Sequence, residues 1–117
     1  MSIVSIILRK PPYGSVAAGE AIRHALGGIT EGMAVKLILL DAGVNALRKG
    51  QDTSGTEYLS IESGIRDCID MGVEVYADKL SIKEQHLEPS DLVDGVNVIN
   101  SAEIAEIVKQ AKTTMIF

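Results

Sequence analysis

The residues of this sequence that could do chemistry are one thiol, two histidines, and polar groups that follow apolar runs. Cys68 is the only cysteine, so any sulfur chemistry of the chain alone must use it. An activated thiolate wants a helix N-terminus, a cationic neighbour and exposure. Cys68 has none of these: it falls late in a helical pattern, three residues after Ile65, between Asp67 and Asp70. The helix dipole and both carboxylates raise its pKa, so it reads as a small buried hydrophobe.

The histidines add little. His24 lies beside Arg23 and four residues after Glu20, on the expected solvated face of a helix, and His86 ends a short exposed one. With one cysteine and histidines 62 positions apart, no spacing suggests a metal site or a Ser-His-Asp constellation. The expectation is no metal and no cofactor.

The stretch "LRKPPYGSVAAGEAIRHAL", Leu8–Leu26, runs from a strand through a turn into an amphipathic helix, the outline of an anion cradle. Walker and dinucleotide loops both fail to match, because only Gly14 and Gly19 occur and no lysine follows. Asp41 and Asp78, expected on the same sheet edge, would repel an anion. The turn is therefore read as Pro-Tyr-Gly with Ser15 capping the helix. A phosphate-receiver reading of Asp41 fails too, since Arg9 and Lys10 stand where an acidic pair would hold magnesium.

The elements that must position these groups follow from two alternating periods. Dense apolar runs at Ile3–Leu8, Ala34–Leu40, Val73–Ala77, Val96–Ile99 and Thr114–Phe117 read as strands. Between them, Ala18, Ile22, Ala25 and Leu26 form one helical stripe, stopped at Gly27 and Gly28. Ile61, Ile65, Cys68 and Ile69 form a second, ending at Gly72. A short helix is expected at Ser81–Leu87, and a longer one behind a Ser101 cap with Ile104, Ile107, Val108 and Ala111 facing inward. Strands apolar on both faces, alternating with helices, predict a three-layer α/β/α sandwich with a mostly parallel sheet of about five strands. The polar stretch Arg48–Tyr58 predicts a flap.

At 117 residues one domain, 1–117, is expected. A formal charge of −5 excludes phosphate-backbone binding by eleven scattered basic residues, so no nucleic acid is expected. No apolar run approaches a bilayer span, and "MSIVSIILRK" is too quickly charged for a signal peptide. No membrane association and a cytoplasmic location are expected, in keeping with an unpaired cysteine. A hydrophobic share of 46% predicts a homo-oligomer, with an apolar contact centred on Val44 and Leu47.

"PPYGSVAAGEAIRHAL", "LLDAGVNALRKGQ" and "GVEVYADKLSIKEQHL", in that order and followed by a short apolar strand, resemble the DsrE/DsrF-like family of sulfur-relay proteins, nearest its DsrF/TusC-type branch. The resemblance covers essentially the whole chain. It implies the same three-layer fold, assembly as trimers or hexamers of like or related DsrE-type subunits, and sulfur passed as a cysteine persulfide by some subunits only. In those carriers the cysteine follows the third strand; here Asp78, or Ala77 before it, takes that place. The resemblance therefore implies a non-catalytic assembly or docking subunit. Its docking edge is expected at Tyr13, Gly14, Ser15, Asp41, Gly43, Val44 and Asp78. A sulfurtransferase or sulfur carrier using Cys68, and a small-anion-binding module at the strand ends, are the alternatives.

Overall fold

A computed structural model describes residues 2–56 and 59–117. Its strands are β1 (Ile3–Leu8), β2 (Ala34–Leu39), β3 (Glu74–Asp78), β4 (Val96–Ile99) and β5 (Thr113–Ile116). All four pairings are parallel, in the order β4-β3-β2-β1-β5. The helices are α1 (Ala17–Thr30), α2 (Ile61–Asp70), α3 (Lys79–Glu84) and α4 (Ser101–Gln110), with a 3-10 segment at Asp41–Leu47 and another at Pro89–Asp91. Among the described residues the sheet therefore has the five strands expected from the apolar runs.

The layering follows from the handedness of parallel crossovers. β1 to β4 step across the sheet in one direction, so their connecting helices share a face. The step from β4 to β5 returns past β1 and puts α4 on the opposite face. The first face buries Ile6, Leu8, Val35, Leu37, Leu39 and Val75 against α1, α2 and the 3-10 segment. The second buries Ile7, Ile38 and Ile99 against Ile104 of α4. Truncating a fully buried aliphatic such as Leu37 removes about 2–5 kcal/mol. Buried Ser5 on the second face is satisfied by Thr114, with 2.6 Å between hydroxyl oxygens.

Alanines at 17, 18, 21 and 25 let α1 lie close to the sheet. The helix does not stop at Gly27–Gly28 but runs on to Thr30. Gly28 is needed for contact, since a Cβ there would sit 2.9 Å from Cγ2 of Val35. The chain turns away instead at Gly32, whose φ of +83° suits glycine. Two caps also differ from expectation. The residue before α1 is Val16, while Ser15 Oγ only accepts a long 3.3 Å bond from the Ala17 N–H. α4 is capped by Asn100 rather than Ser101, in a reciprocal box with Glu103.

Candidate functional site

In open parallel sheets, ligands meet the carboxyl edge where strand order reverses. Here that point lies between β1 and β5. A cleft of about 780 Å3 occupies it, lined by Arg9, Lys10, Ser15, Val16, Glu20, Asp41 and the end of β5. Arg9 pairs with Asp41 at 3.0 Å, and Glu20 with Arg23 at 2.6 Å. The Arg23 guanidinium beside it holds the Glu20 carboxyl below its ordinary range. Among the described residues Lys10 makes no ion pair.

Two strands away the edge is closed. Asp78 caps α3: its Oδ2 accepts from the Ser81 N–H at 3.1 Å and from the Ser81 hydroxyl at 2.6 Å. Ser81 is buried, and its Oγ accepts from the Asp41 N–H at 2.8 Å. The ends of β2 and β3 are thus tied through one serine. Sequence reasoning found Asp78 and Asp41 but missed Ser81. The Asp-x-x-Ser spacing, which places Ser81 at the third residue of a capped helix, was the available signal.

The remaining edge residues divide between surface and framework. Tyr13 donates its hydroxyl to Gln51 Oε1 at 2.5 Å and accepts from the Ile61 N–H at 3.2 Å, so the Pro-Tyr-Gly turn brackets the loop before α2. Gln51 also donates to the carbonyls of Ala46 and Arg48, and its N–H donates to Glu62. The expected flap is therefore anchored at Gln51; its last two residues, Glu57 and Tyr58, lie outside the described residues. Gly14 and Ser15 are exposed.

Gly43 and Val44 are buried, and so is Leu47. This corrects the expectation of an intersubunit contact centred on Val44 and Leu47. The 3-10 segment turns both side chains into the first-face core, leaving no surface to share. A Cβ on Gly43 would meet the Leu8 carbonyl oxygen at 2.2 Å, so this turn needs glycine for close approach.

Cys68 has no exposed surface, and burial, with Asp67 adding to it, pushes its thiol from 9.0 up to about 11. His24 is only partly solvated: its Nδ1 lies 2.7 Å from the Glu20 carbonyl and its ring packs 5.3 Å from Phe117. Exposed His86, with φ +57°, ends α3's turn. Among the described residues no three or more His, Cys, Asp or Glu side chains come together as a metal-ligand group. No helix among them is long and apolar enough to cross a membrane.

The sequence profile of the DsrE/DsrF-like family matches residues 2–117. The chain belongs to that family. It is 31% identical to the intracellular sulfur oxidation protein DsrF of Allochromatium vinosum, over 93% of this chain and 91% of that protein. An uncharacterized protein of Methanopyrus kandleri is 29% identical over the full chain and 95% of its own length. The crystal structure of the ychN protein from E. coli superposes with a TM-score of 0.89 over all of both chains, at 22% identity, which speaks for the fold alone. Within this family fold the thiol of Cys68 sits on the helix before β3, inside the core, while the carboxyl end of β3 carries a helix cap.

Proposed function

We propose that this chain is a DsrF-like subunit of an intracellular sulfur relay that serves as an assembly or docking partner and carries no persulfide itself. One observation carries the reading: the only thiol, Cys68, has no exposed surface and is pushed up to about 11. A thiol so placed is neither reachable by a donor nor ionised at neutral pH. Asp78 supports the same reading, because it accepts two hydrogen bonds that a thiol would replace poorly.

Assembly is the second half of the proposal. Leu59 and Leu80 flank the carboxyl edge and are 87% and 62% exposed, more than a monomer gains from. They replace Val44 and Leu47 as the apolar centre of a closed homotrimer or hexamer, or of a contact with a related DsrE-type subunit.

The deciding experiment treats the native protein with inorganic polysulfide and reads its intact mass. The expected result is no sulfur adduct and slow alkylation of Cys68 until denaturant is added. A persulfide on Cys68 of the folded protein, absent from Cys68→Ala, would overturn the reading. For assembly, light scattering should report an oligomer that Leu80→Asp dissociates; a persistent monomer at high concentration rejects that half.

A further inference from the structure

A trough runs along the flank between α1 and β5. Two clefts lie along it, the one at the switch point and a second of about 550 Å3 lined by Arg23, His24, Gly27, Gly28, Thr113 and Met115, with the His24 ring of the second packed 5.3 Å from the Phe117 ring of the first. The trough exists because α1 packs over β1 and β2, while β5 arrives from the opposite face and lies beyond α1. Val4, Met115 and Phe117 are left half-buried as its floor.

Its outer wall is an unpaired sheet edge. Phe117 directs its N–H to Ile7 at 2.8 Å and accepts from Arg9 at 2.9 Å. Alternation along the strand then turns the backbone groups of Thr114 and Ile116 outward. Edge strands are kept single by shortness, lysine, proline, bulges or a cover. Thr113–Ile116 is short, at 4 residues, but carries no lysine or proline, and Ile116 is 66% exposed.

We infer that this trough takes an extended segment of a partner protein, which pairs with β5 as a sixth strand and sets a carboxylate against Lys10. Charge selects this occupant. The trough carries Arg9, Lys10, Arg23 and Lys112 against Glu20, Glu31 and Asp41, four cations to three carboxylates, on a chain of net charge −5. Of the two trough cations that follow β1, Arg9 is paired with Asp41, and Lys10 makes no ion pair among the described residues. A second copy fits badly: two β5 strands pairing about a two-fold axis would bring Lys112 of each toward Arg9 and Lys10 of the other. Main-chain pairing supplies affinity in this mode, and alternate side chains in the trough supply selectivity. The inference is independent of whether sulfur passes over this chain, so its failure leaves the relay reading standing.

The probes are short synthetic peptides of alternating valine and threonine, with glutamate at one end, at the other, or replaced by lysine. Binding is measured by fluorescence anisotropy, and the site by amide NMR of isotope-labelled protein. One glutamate-ended peptide should bind saturably, slow exchange at the Thr114 and Ile116 amides, and bind about tenfold more tightly than its lysine analogue. Lys10→Glu should reverse that preference. Ile116→Pro, which deletes an outward N–H and leaves the β1 pairing, should abolish binding while β1 amide signals stay in place. No saturable binding by any peptide overturns the inference, as does a preference that Lys10→Glu leaves unchanged. Concentration-dependent protection of the same two amides without peptide would make the occupant a second copy and overturn it as well.

Discussion

At the end of β3, Asp78 accepts from both the N–H and the hydroxyl of Ser81, and Ser81 in turn accepts from Asp41, so polar groups there are spent on one another. At the end of β1, on the same sheet edge, Lys10 makes no ion pair among the described residues and a cleft of about 780 Å3 stays open between α1 and β5. The two ends have the same strand direction and lie two strands apart on one sheet edge; they differ in what the next element does. α3 begins directly after Asp78 and folds its first turn back onto the strand end. α1 begins only after Arg9–Val16, a loop that carries it over β1 and away from β5. Closure at a strand end is therefore set by the length of the connection, and the chemistry at the two ends follows from it.

The largest expected effect tests what holds the closed side together. The 3-10 segment after β2 packs its backbone onto Leu8 at Gly43, where a Cβ would lie 2.2 Å from a carbonyl oxygen and 2.9 Å from its carbon. Backbone cannot yield as a side chain tip can. Gly43→Ala should cost about 3 kcal/mol or more, read as a lower midpoint in urea denaturation. Near-wild-type stability would mean that the segment is free to move and that the edge is not a fixed platform.

Next in size is the pH dependence conferred by Cys68, which decides whether a thiol could serve the β3 end from one helix away. The thiol is raised in the folded state from 9.0 to about 11. Above pH 9 the unfolded chain releases this proton and the folded chain keeps it, so stability falls as pH rises through that window. The loss is on the order of 2–3 kcal/mol by pH 11. Cys68→Ala should remove this slope at the cost of a modest constant offset. Equal slopes in both proteins would mean that the thiol reaches solvent.

The sequence carried these layers unevenly. Strand positions were legible to within a residue, because β-branched runs apolar on both faces have few alternatives to a buried parallel sheet. The stripe through Ile61, Ile65 and Cys68 likewise placed the thiol in the core. What could not be read was which apolar residue beyond the strands finds a partner. Val44 and Leu47 look like surface beside a polar stretch, yet the 3-10 turn folds them inward, whereas Leu59 stays out. Gly27 and Gly28 look like a stop, yet Gly28 is a contact glycine against Val35. The open flank along β5 depends on strand order, which no local pattern contains.

A smaller effect separates cap from catalyst at the closed end. Asp78→Ala removes the acceptor for two donors, the N–H and the hydroxyl of buried Ser81, and should cost about 1–2 kcal/mol. Asp78→Asn keeps an acceptor oxygen and should lose less than half of that. If alanine were neutral, Asp78 would be available for another task and the two strand ends would be more alike than their geometry indicates. The measurement is the difference in unfolding free energy between the two variants at neutral pH.

The smallest effect belongs to an ion pair between the end of β1 and the residue Asp41 that follows β2 and bonds to Ser81. Asp41 receives Arg9 at 3.0 Å, but both side chains are more than half exposed, so solvent screens the pair and its contribution is about 0.5 kcal/mol or less. Asp41 also sits at φ +52°, a left-handed conformation that costs most residues strain and that Asp and Asn tolerate. Asp41→Asn therefore removes the charge while keeping the backbone preference. Its stability should match wild type in high salt and fall short by only a few tenths of a kcal/mol in low salt. A larger loss that persists in high salt would mean that the pair is not simply screened, and that the open and closed ends are coupled through Asp41 and its N–H bond to Ser81.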